Sequence, residues 1–294
     1  MLLPLRKTGR ADKMNTFIQE ICKPELAFLR NAILLGLLAG PILGVIGSMV
    51  VTRRISSLAG ASAHTALGGV GIALFLQRVA GFAWCTGELG AVAGAVLAAV
   101  LVGLVSIYAK EREDTVIAVV WALGMAVGLL FLDRTPGYVD WQGYLFGNIL
   151  LISRSSIYMT IALDVLVLVP AFIFYNSVLA TTFDPVFSRL RGLPVNLIYL
   201  LLLVLTALTI VLLINIVGII LVIALLTLPA ASAGTCTRHL WSMMLCSTVL
   251  SWIFIIGGLL TSFAADLPAG PVIVVIASAV YLVSLCAGKC IKKN

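Results

Sequence analysis

The stretch RRISSLAGASAHTALGGVG, residues 53–71, combines arginines, glycines and a histidine within two apolar segments. Two arginines end one apolar segment, and a second apolar segment then carries His64. On a helix, Gly60, Gly68 and Gly71 share the face of His64, because residues three, four and seven apart lie on one side. A histidine on a strip of glycines either packs against a neighbouring helix or forms a metal or proton site, because ionisable groups at membrane depth are costly.

The composition predicts a membrane protein, and the absence of an ATPase motif predicts that it is not itself an enzyme. Of 294 residues, 62% are hydrophobic, whereas a soluble domain is about 45–50% apolar. The net charge of +7 indicates the positive-inside rule and not a nucleic-acid partner. The sequence contains no GxxxxGK[ST] phosphate loop, so the chain does not hydrolyse nucleotide in the P-loop manner. No metalloprotease, serine or cysteine constellation is visible either.

Nine apolar segments, each close to the ~20 residues that cross a bilayer, predict an all-α polytopic fold of eight or nine transmembrane helices. The sixth and seventh adjoin at 215–218 and form either a tight hairpin or one span plus a half-span. Residues 1–30 are predicted to be a polar tail with a short interfacial helix near 17–28, residues 31–288 the transmembrane domain, and residues 289–294 a basic cytoplasmic tail. The predicted spans are 31–51, 58–78, 87–108, 115–133, 156–176, 195–214, 217–232, 241–263 and 269–287.

Basic residues predict the orientation. With the C-terminal tail in the cytoplasm, the outside loops after residue 30 carry only Arg78, Arg134 and Arg154. The larger cytoplasmic set agrees with the positive-inside rule, although the basic N-terminal tail argues the other way. The cytoplasmic residues are Arg53, Arg54, Lys110, Arg112, Arg189, Arg191, Arg238, Lys289, Lys292 and Lys293.

Small residues predict how the helices pack. Gly36, Gly40 and Gly44 repeat at four-residue spacing in the first span, and Gly124 and Gly128 do so in the fourth. This spacing lets two helix backbones approach closely. It predicts a bundle and carries no information about a substrate.

A second ionisable residue, Asp164, falls inside the predicted span 156–176. A carboxylate this far into a span must face protein or water, and Thr160 lies one turn before it on the same face. Asp164 is therefore either a hydrogen-bonded structural residue or a ligand or relay on the path of a cation.

Residues 184–193, DPVFSRLRGL, predict a short cytoplasmic helix with capping residues at both ends. Asp184 suits the N-cap and Pro185 the first helical position. Gly192 suits a left-handed residue at the C-terminal end, and Pro194 follows it.

This short helix is also amphipathic. Phe187 and Leu190 share one face, and Arg189 and Arg191 lie beside it. Such a helix is either a docking element for another protein or a connector that lies on the membrane surface.

Five stretches together resemble the membrane permease of the ABC importers for zinc, manganese and iron. The resemblance runs in order from about residue 30 to residue 287, and it implies the ABC metal-importer permease bundle. It also implies a homodimer, or a pair with a related permease, in a bacterial inner membrane. The five stretches are RRISSLAGASAHTALGGVG (53–71), YLFGNIL (144–150), FDPVFSRLRGLPV (183–195), GIILVIALLTLPAASA (218–233) and SFAADLPAGP (262–271).

The resemblance further implies a cytoplasmic ATP-binding subunit and an extracytoplasmic metal-binding protein as partners. A divalent metal ion is then the substrate, ATP is bound by the partner subunit, and no cofactor is held permanently. On this resemblance the helix at 184–193 is the coupling element that fits a groove on the ATPase. Its implied coupling residues are Asp184, Pro185, Phe187, Arg189, Arg191 and Gly192.

His64 matches the histidine of the family's second-span motif. The family commonly has an aspartate one turn before this histidine, whereas this chain has Gly60. Our hypothesis is that Asp164, from another span, supplies the missing carboxylate near His64. A histidine with a carboxylate suits zinc, iron or manganese without separating them sharply.

The predicted function is the import of a divalent metal cation by alternating access, with ATP hydrolysed by the partner subunit. Three alternatives remain open. The chain could be a permease for a metal chelate, which needs a wider cavity. It could be a cation- or proton-coupled secondary carrier that needs no ATPase, or a membrane scaffold that transports nothing.

Overall fold

The computed structural model describes residues 27–109, 112–137 and 154–291. These ranges contain eleven helices and no strand, which confirms the predicted all-α fold class for this part of the chain. The predicted polar tail, most of its interfacial helix near 17–28, and the stretch 144–150 lie outside the described residues. The helices are α1 Ala27–Thr52, α2 Ser57–Arg78, α3 Gly87–Tyr108, α4 Glu113–Asp133, α5 Arg154–Ile173, α6 Tyr175–Phe183, α7 Pro185–Leu190, α8 Val195–Val217, α9 Ile219–Cys236, α10 Leu240–Ala265 and α11 Ala269–Ile291.

Eight of these helices are individually long and apolar enough to cross a membrane. The pair α5 and α6 passes the same test only when taken together, and the two are bent by 60° at the break between them. The prediction of eight or nine transmembrane helices is therefore confirmed for the residues that the structure describes. The bend falls one turn after Pro170, which lies inside α5 and cannot donate a backbone hydrogen bond.

The sixth and seventh predicted spans are separate helices of full length. Only Gly218 lies between α8 and α9, and its backbone has φ 85° and ψ 157°. Residues with a side chain rarely adopt this conformation, whereas glycine does so readily. Each of the two helices is individually long and apolar enough to cross a membrane, which favours the hairpin over one span plus a half-span. The seventh helix continues to Cys236, beyond its predicted end at residue 232.

The helices pack in two groups. In the first group, α2 packs against both α3 and α4. The second group contains α1, α9, α10 and α11, and α8 contacts helices of both groups. The bent helix α5 packs against α1 and α8.

Glycines explain the close contact between α1 and α10 in the second group. Gly36 faces the Ile255 side chain, and Gly44 faces the backbone of Thr248, so that a methyl group at either position would overlap its neighbour. Gly40 lies against the Trp252 indole, whose Nε1 donates a hydrogen bond to the carbonyl oxygen of Leu37 at 2.9 Å. The glycine spacing in the first span therefore does produce close helix packing.

Candidate functional site

His64 lies in α2, where its imidazole stacks on the indole of Trp121 from α4. The ring centroids are 4.9 Å apart and the ring planes differ by 17°. The Nδ1 atom of His64 is buried and has no hydrogen-bond partner among the described residues. Buried side-chain nitrogens usually have a partner, and a neutral imidazole nitrogen is a common metal ligand. The Nδ1 atom of His64 is therefore enclosed by the protein and is free to form a hydrogen bond or to bind a metal ion.

Because Gly60 has no side chain, the Trp121 ring can occupy the space beside it. A Cβ atom built on Gly60 would lie 2.8 Å from Cζ3 and 2.9 Å from Cη2 of Trp121. Carbon atoms do not approach this closely, so an aspartate at position 60 and Trp121 in its present position exclude each other. The indole thus fills the region that a carboxylate one turn before His64 would need.

Sequence reasoning did not identify Trp121. One signal was available, because Trp121 is the only tryptophan in the predicted span 115–133. Nothing in the spacing of residues, however, shows that α4 faces the glycine strip of α2. Gly60, in the place of the family's aspartate, indicates only that space is free beside α2, and Trp121 fills this space.

Two further glycines on the His64 face bring α4 against α2. A Cβ atom on Gly71 would lie 2.5 Å from the carbonyl oxygen and 3.1 Å from the Cα atom of Gly128. Gly68 faces the carbonyl oxygen of Gly124 in the same way, one turn away. The glycine strip therefore places the backbones of α2 and α4 in direct contact beside the imidazole.

Asp164 lies on α5 and is half-buried. Its Oδ1 atom is buried without a hydrogen-bond partner among the described residues. The main packing partners of the two helices differ, because α5 packs against α1 and α8 whereas α2 packs mainly against α3 and α4, although α8 also contacts α2. No hydrogen bond joins the two side chains, and no group of three or more His, Cys, Asp or Glu side chains forms a ligand cluster within residues 27–109, 112–137 and 154–291.

The helix α7 has the capping that its sequence indicates. The Asp184 carboxylate accepts a hydrogen bond from the backbone N–H of Phe187 at 2.8 Å, and Pro185 occupies the first helical position. Gly192 has φ 78°, the left-handed conformation that commonly ends a helix. The helix itself is Pro185–Leu190, so the predicted range 184–193 consists of this helix and its caps.

The surface of α7 is apolar with two cations beside it. Leu190 is 82% exposed, and Phe187 is exposed as well. The Arg191 guanidinium lies 4.6 Å from the centroid of the Phe187 ring. Arg189 donates a hydrogen bond to the Asn196 side chain at 3.3 Å. An exposed, capped helix of this kind can be bound by a partner protein that has an apolar groove with negative charge beside it.

Comparisons with known proteins agree with this architecture. The model of the ABC 3 transport family matches residues 25–288. An uncharacterized membrane protein of Synechocystis sp. is 39% identical over 89% of this chain and 91% of its own length. The manganese transport system membrane protein MntC of Halalkalibacterium halodurans is 33% identical over 87% of this chain and 85% of its own length.

A solved structure, that of PsaBC from Streptococcus pneumoniae in complex with Fab, has the same fold. The similarity has a TM-score of 0.78 at 28% sequence identity, and it covers 92% of this chain and 95% of the other. The helical bundle and these relatives define a multi-pass membrane permease of the metal-importing ABC class. The chain belongs to the ABC 3 transport family.

Proposed function

We propose that this chain is the transmembrane subunit of an ATP-driven importer that moves zinc, manganese or iron into the cytoplasm by alternating access. The observation that carries the proposal is the enclosed, unpartnered Nδ1 atom of His64 inside the bundle. Imidazole nitrogen binds first-row divalent metals, and the relatives include proteins named for manganese transport. The metal ion is the substrate, and no cofactor is held permanently.

In this proposal His64 binds the ion weakly and briefly, because a transport path must release its ion as well as bind it. Asp164 is a second candidate on the path of the cation, since its unpartnered oxygen also lies inside the bundle. The two side chains act at separate positions, because the helices that carry them have different main packing partners.

The partners follow from the same proposal. The exposed helix α7 is the element that contacts a cytoplasmic ATP-binding subunit, which binds the ATP that this chain has no phosphate loop to bind. An extracytoplasmic metal-binding protein delivers the ion. The transmembrane unit is a homodimer or a pair with a related permease, in the inner membrane of a bacterium.

The test is metal uptake by cells that lack the native gene and carry either the wild-type chain or a variant. We expect His64→Ala to lower uptake of one of zinc, manganese and iron by about tenfold or more, as loss of a ligand does at metal sites. His239→Ala is the matched control, because His239 lies at the N-terminal end of α10 and outside the proposed path. Full uptake of all three metals by a normally expressed His64→Ala variant would remove His64 from the path.

A separate measurement distinguishes the transport classes. Uptake into liposomes that contain this chain alone, without an ATP-binding subunit, would indicate a secondary carrier. Uptake only of a chelated metal would indicate a chelate permease. Uptake of the free ion only when the ATP-binding subunit and ATP are present is the result that we expect.

A further inference from the structure

The segment formed by α5, α6 and α7 has a single residue at each of its two junctions. Phe174 lies between α5 and α6, and Asp184 is at once the C-cap of α6 and the N-cap of α7. Neither junction contains a loop that could absorb movement. A displacement of α7 must therefore either reach α5 or change the angle between two helices at one of these residues.

The junction at Asp184 is held by hydrogen bonds on both of its sides. The backbone N–H of Asp184 donates to the carbonyl oxygen of Ala180 at 2.9 Å, and the Asp184 carboxylate accepts the bond from Phe187 described above. The Ser188 hydroxyl donates to the Asp184 carbonyl oxygen at 2.8 Å, and Ser188 is only 1% exposed. These bonds fix the direction of α7 relative to α6.

The backbone at the Phe174 junction is weaker. Pro170 lies one turn before it within α5 and has no N–H to donate to the carbonyl oxygen of Leu166. The two helices already differ in direction by 60° at this break, and a proline inside a helix marks a place where the helix bends. Without a further restraint, this junction is the one that bends when α7 is displaced.

A side chain of α10 lies across the Phe174 junction. The ring centroid of Trp241 is 5.9 Å from that of Phe172, at the end of α5, and 6.0 Å from that of Tyr175, the first residue of α6. Both distances are within the range of favourable aromatic pairs. One indole thus contacts the chain on both sides of Phe174, so the bend cannot change without loosening one of the two contacts.

The helix before this junction carries Asp164. Asp164 precedes Phe174 by ten residues, a distance of about 15 Å along a helix axis. Its Oδ1 atom is buried without a hydrogen-bond partner among the described residues, and α5 packs against α1 and α8. A shift of α5 therefore moves this carboxylate relative to those two helices.

We propose that Trp241 is a positioning residue that keeps the bend between α5 and α6 fixed, so that a movement of α7 is passed on to α5 and Asp164. The proposal rests on the proposed function, in which an ATP-binding subunit contacts α7, and it goes further by naming the residue that keeps this path stiff. Trp241 needs no contact with the ion. When its ring is removed, the turn after Pro170 bends and the movement of α7 no longer reaches α5.

The test uses the full complex of this chain with its ATP-binding subunit, reconstituted in liposomes with the metal that the wild type transports. The measured quantity is the number of metal ions taken up per ATP hydrolysed, since coupling evidence is what a proposed path requires. We expect Trp241→Leu to lower this ratio about fivefold or more while ATP hydrolysis continues. A role limited to folding would lower the amount of complex and leave the ratio of the remaining complex unchanged.

Two further variants accompany Trp241→Leu. Trp241→Phe keeps an aromatic ring at the junction and should retain most of the wild-type ratio. The matched control is Leu245→Ala, which changes an exposed residue one turn further along α10 and should leave the ratio unchanged.

A distance measurement tests the bend directly. Spin labels are attached through Ile161→Cys on α5 and Phe183→Cys at the end of α6, both exposed positions, in a chain whose native cysteines are replaced by alanine. With Trp241 present, we expect the same narrow distribution of distances without nucleotide and with bound ATP, because the bend is held. With Trp241→Leu, we expect a broader distribution that changes when ATP binds.

The outcomes separate this inference from the proposed function. If the wild-type complex takes up none of zinc, manganese and iron, the proposed function fails. If the wild type transports metal and an assembled Trp241→Leu complex has the wild-type ratio, the inference alone is overturned. Where Trp241→Leu does not assemble, the labelled chain that keeps Trp241 decides, since a distance that changes on ATP binding shows that the junction bends and also overturns the inference.

Discussion

Replacing Gly71 by alanine tests whether the contact between α2 and α4 sets the stability of the first helix group. The added methyl carbon would lie 2.5 Å from the carbonyl oxygen of Gly128, whereas ordinary contact begins at 3.4 Å, a shortfall of about 0.9 Å. The obstructing atoms are backbone on both sides, and Gly128 has no side chain that could rotate away. The two helices must therefore separate.

The size of the effect follows from this overlap. Extra methyl groups in a well-packed interior cost about 1–3 kcal/mol when the backbone has to shift, and we expect the free energy of unfolding to fall by this amount. The separation also loosens the stacking of Trp121 on His64, since Gly71 lies only about 10 Å along α2 from the imidazole. Metal uptake should therefore fall together with stability.

Thermal unfolding of the purified chain in nanodiscs measures the first effect, and uptake by cells with matched expression measures the second. The control is Gly257→Ala, because a methyl group at Gly257, within α10, meets no atom within 4 Å. Substitutions at such open positions change stability by about 0.5 kcal/mol or less. The reasoning is refuted if Gly71→Ala unfolds at the wild-type temperature, or if both variants are destabilised equally.

Two other substitutions test the caps and the stacked ring. Asp184→Ala removes the hydrogen bond from the Phe187 N–H and should destabilise α7 by about 1 kcal/mol, so that less of the ATP-binding subunit co-purifies with the chain. Asp184→Asn keeps a hydrogen-bond acceptor and should bind the subunit normally. Equal losses of binding in both variants would show that the charge of Asp184 matters and not the hydrogen bond. Gly60→Asp should reduce the yield of folded protein, because the new side chain overlaps Trp121. Adding Trp121→Leu to this variant should restore the yield. A normal yield of Gly60→Asp alone would show that the Trp121 ring moves aside freely.

Features that depend on a few neighbouring residues could be predicted from the sequence. The caps of α7 are of this kind, because Asp184, Pro185 and Gly192 act on backbone groups within one turn of themselves. The spans could also be predicted, since each needs only a long apolar run. The break between α5 and α6 was not predicted, because the apolar run continues through it and only Pro170 marks the weakened turn.

Features that depend on which helices meet could not be predicted. The spacing of glycines identified the face of α2 that carries His64, but it could not show that Trp121 lies on that face. The same limit applies to Asp164, whose distance from His64 depends on the packing of α5. Arg53 and Arg54 are chemically identical, yet Arg53 donates a hydrogen bond to the Thr181 carbonyl, whereas Arg54 has a left-handed backbone and is exposed.

The glycine strip also has a consequence for how the protein is made. Among the eight helices that can cross a membrane alone, α2 is the least hydrophobic, yet it is one of the most buried. A segment of this kind gains little from lipid, and its stability comes from α3 and α4, which the ribosome synthesises later. We therefore expect α2 to reach its final position only after those two helices have been inserted. On this expectation, the glycines that let the backbones touch in the finished protein also make its assembly during synthesis cooperative.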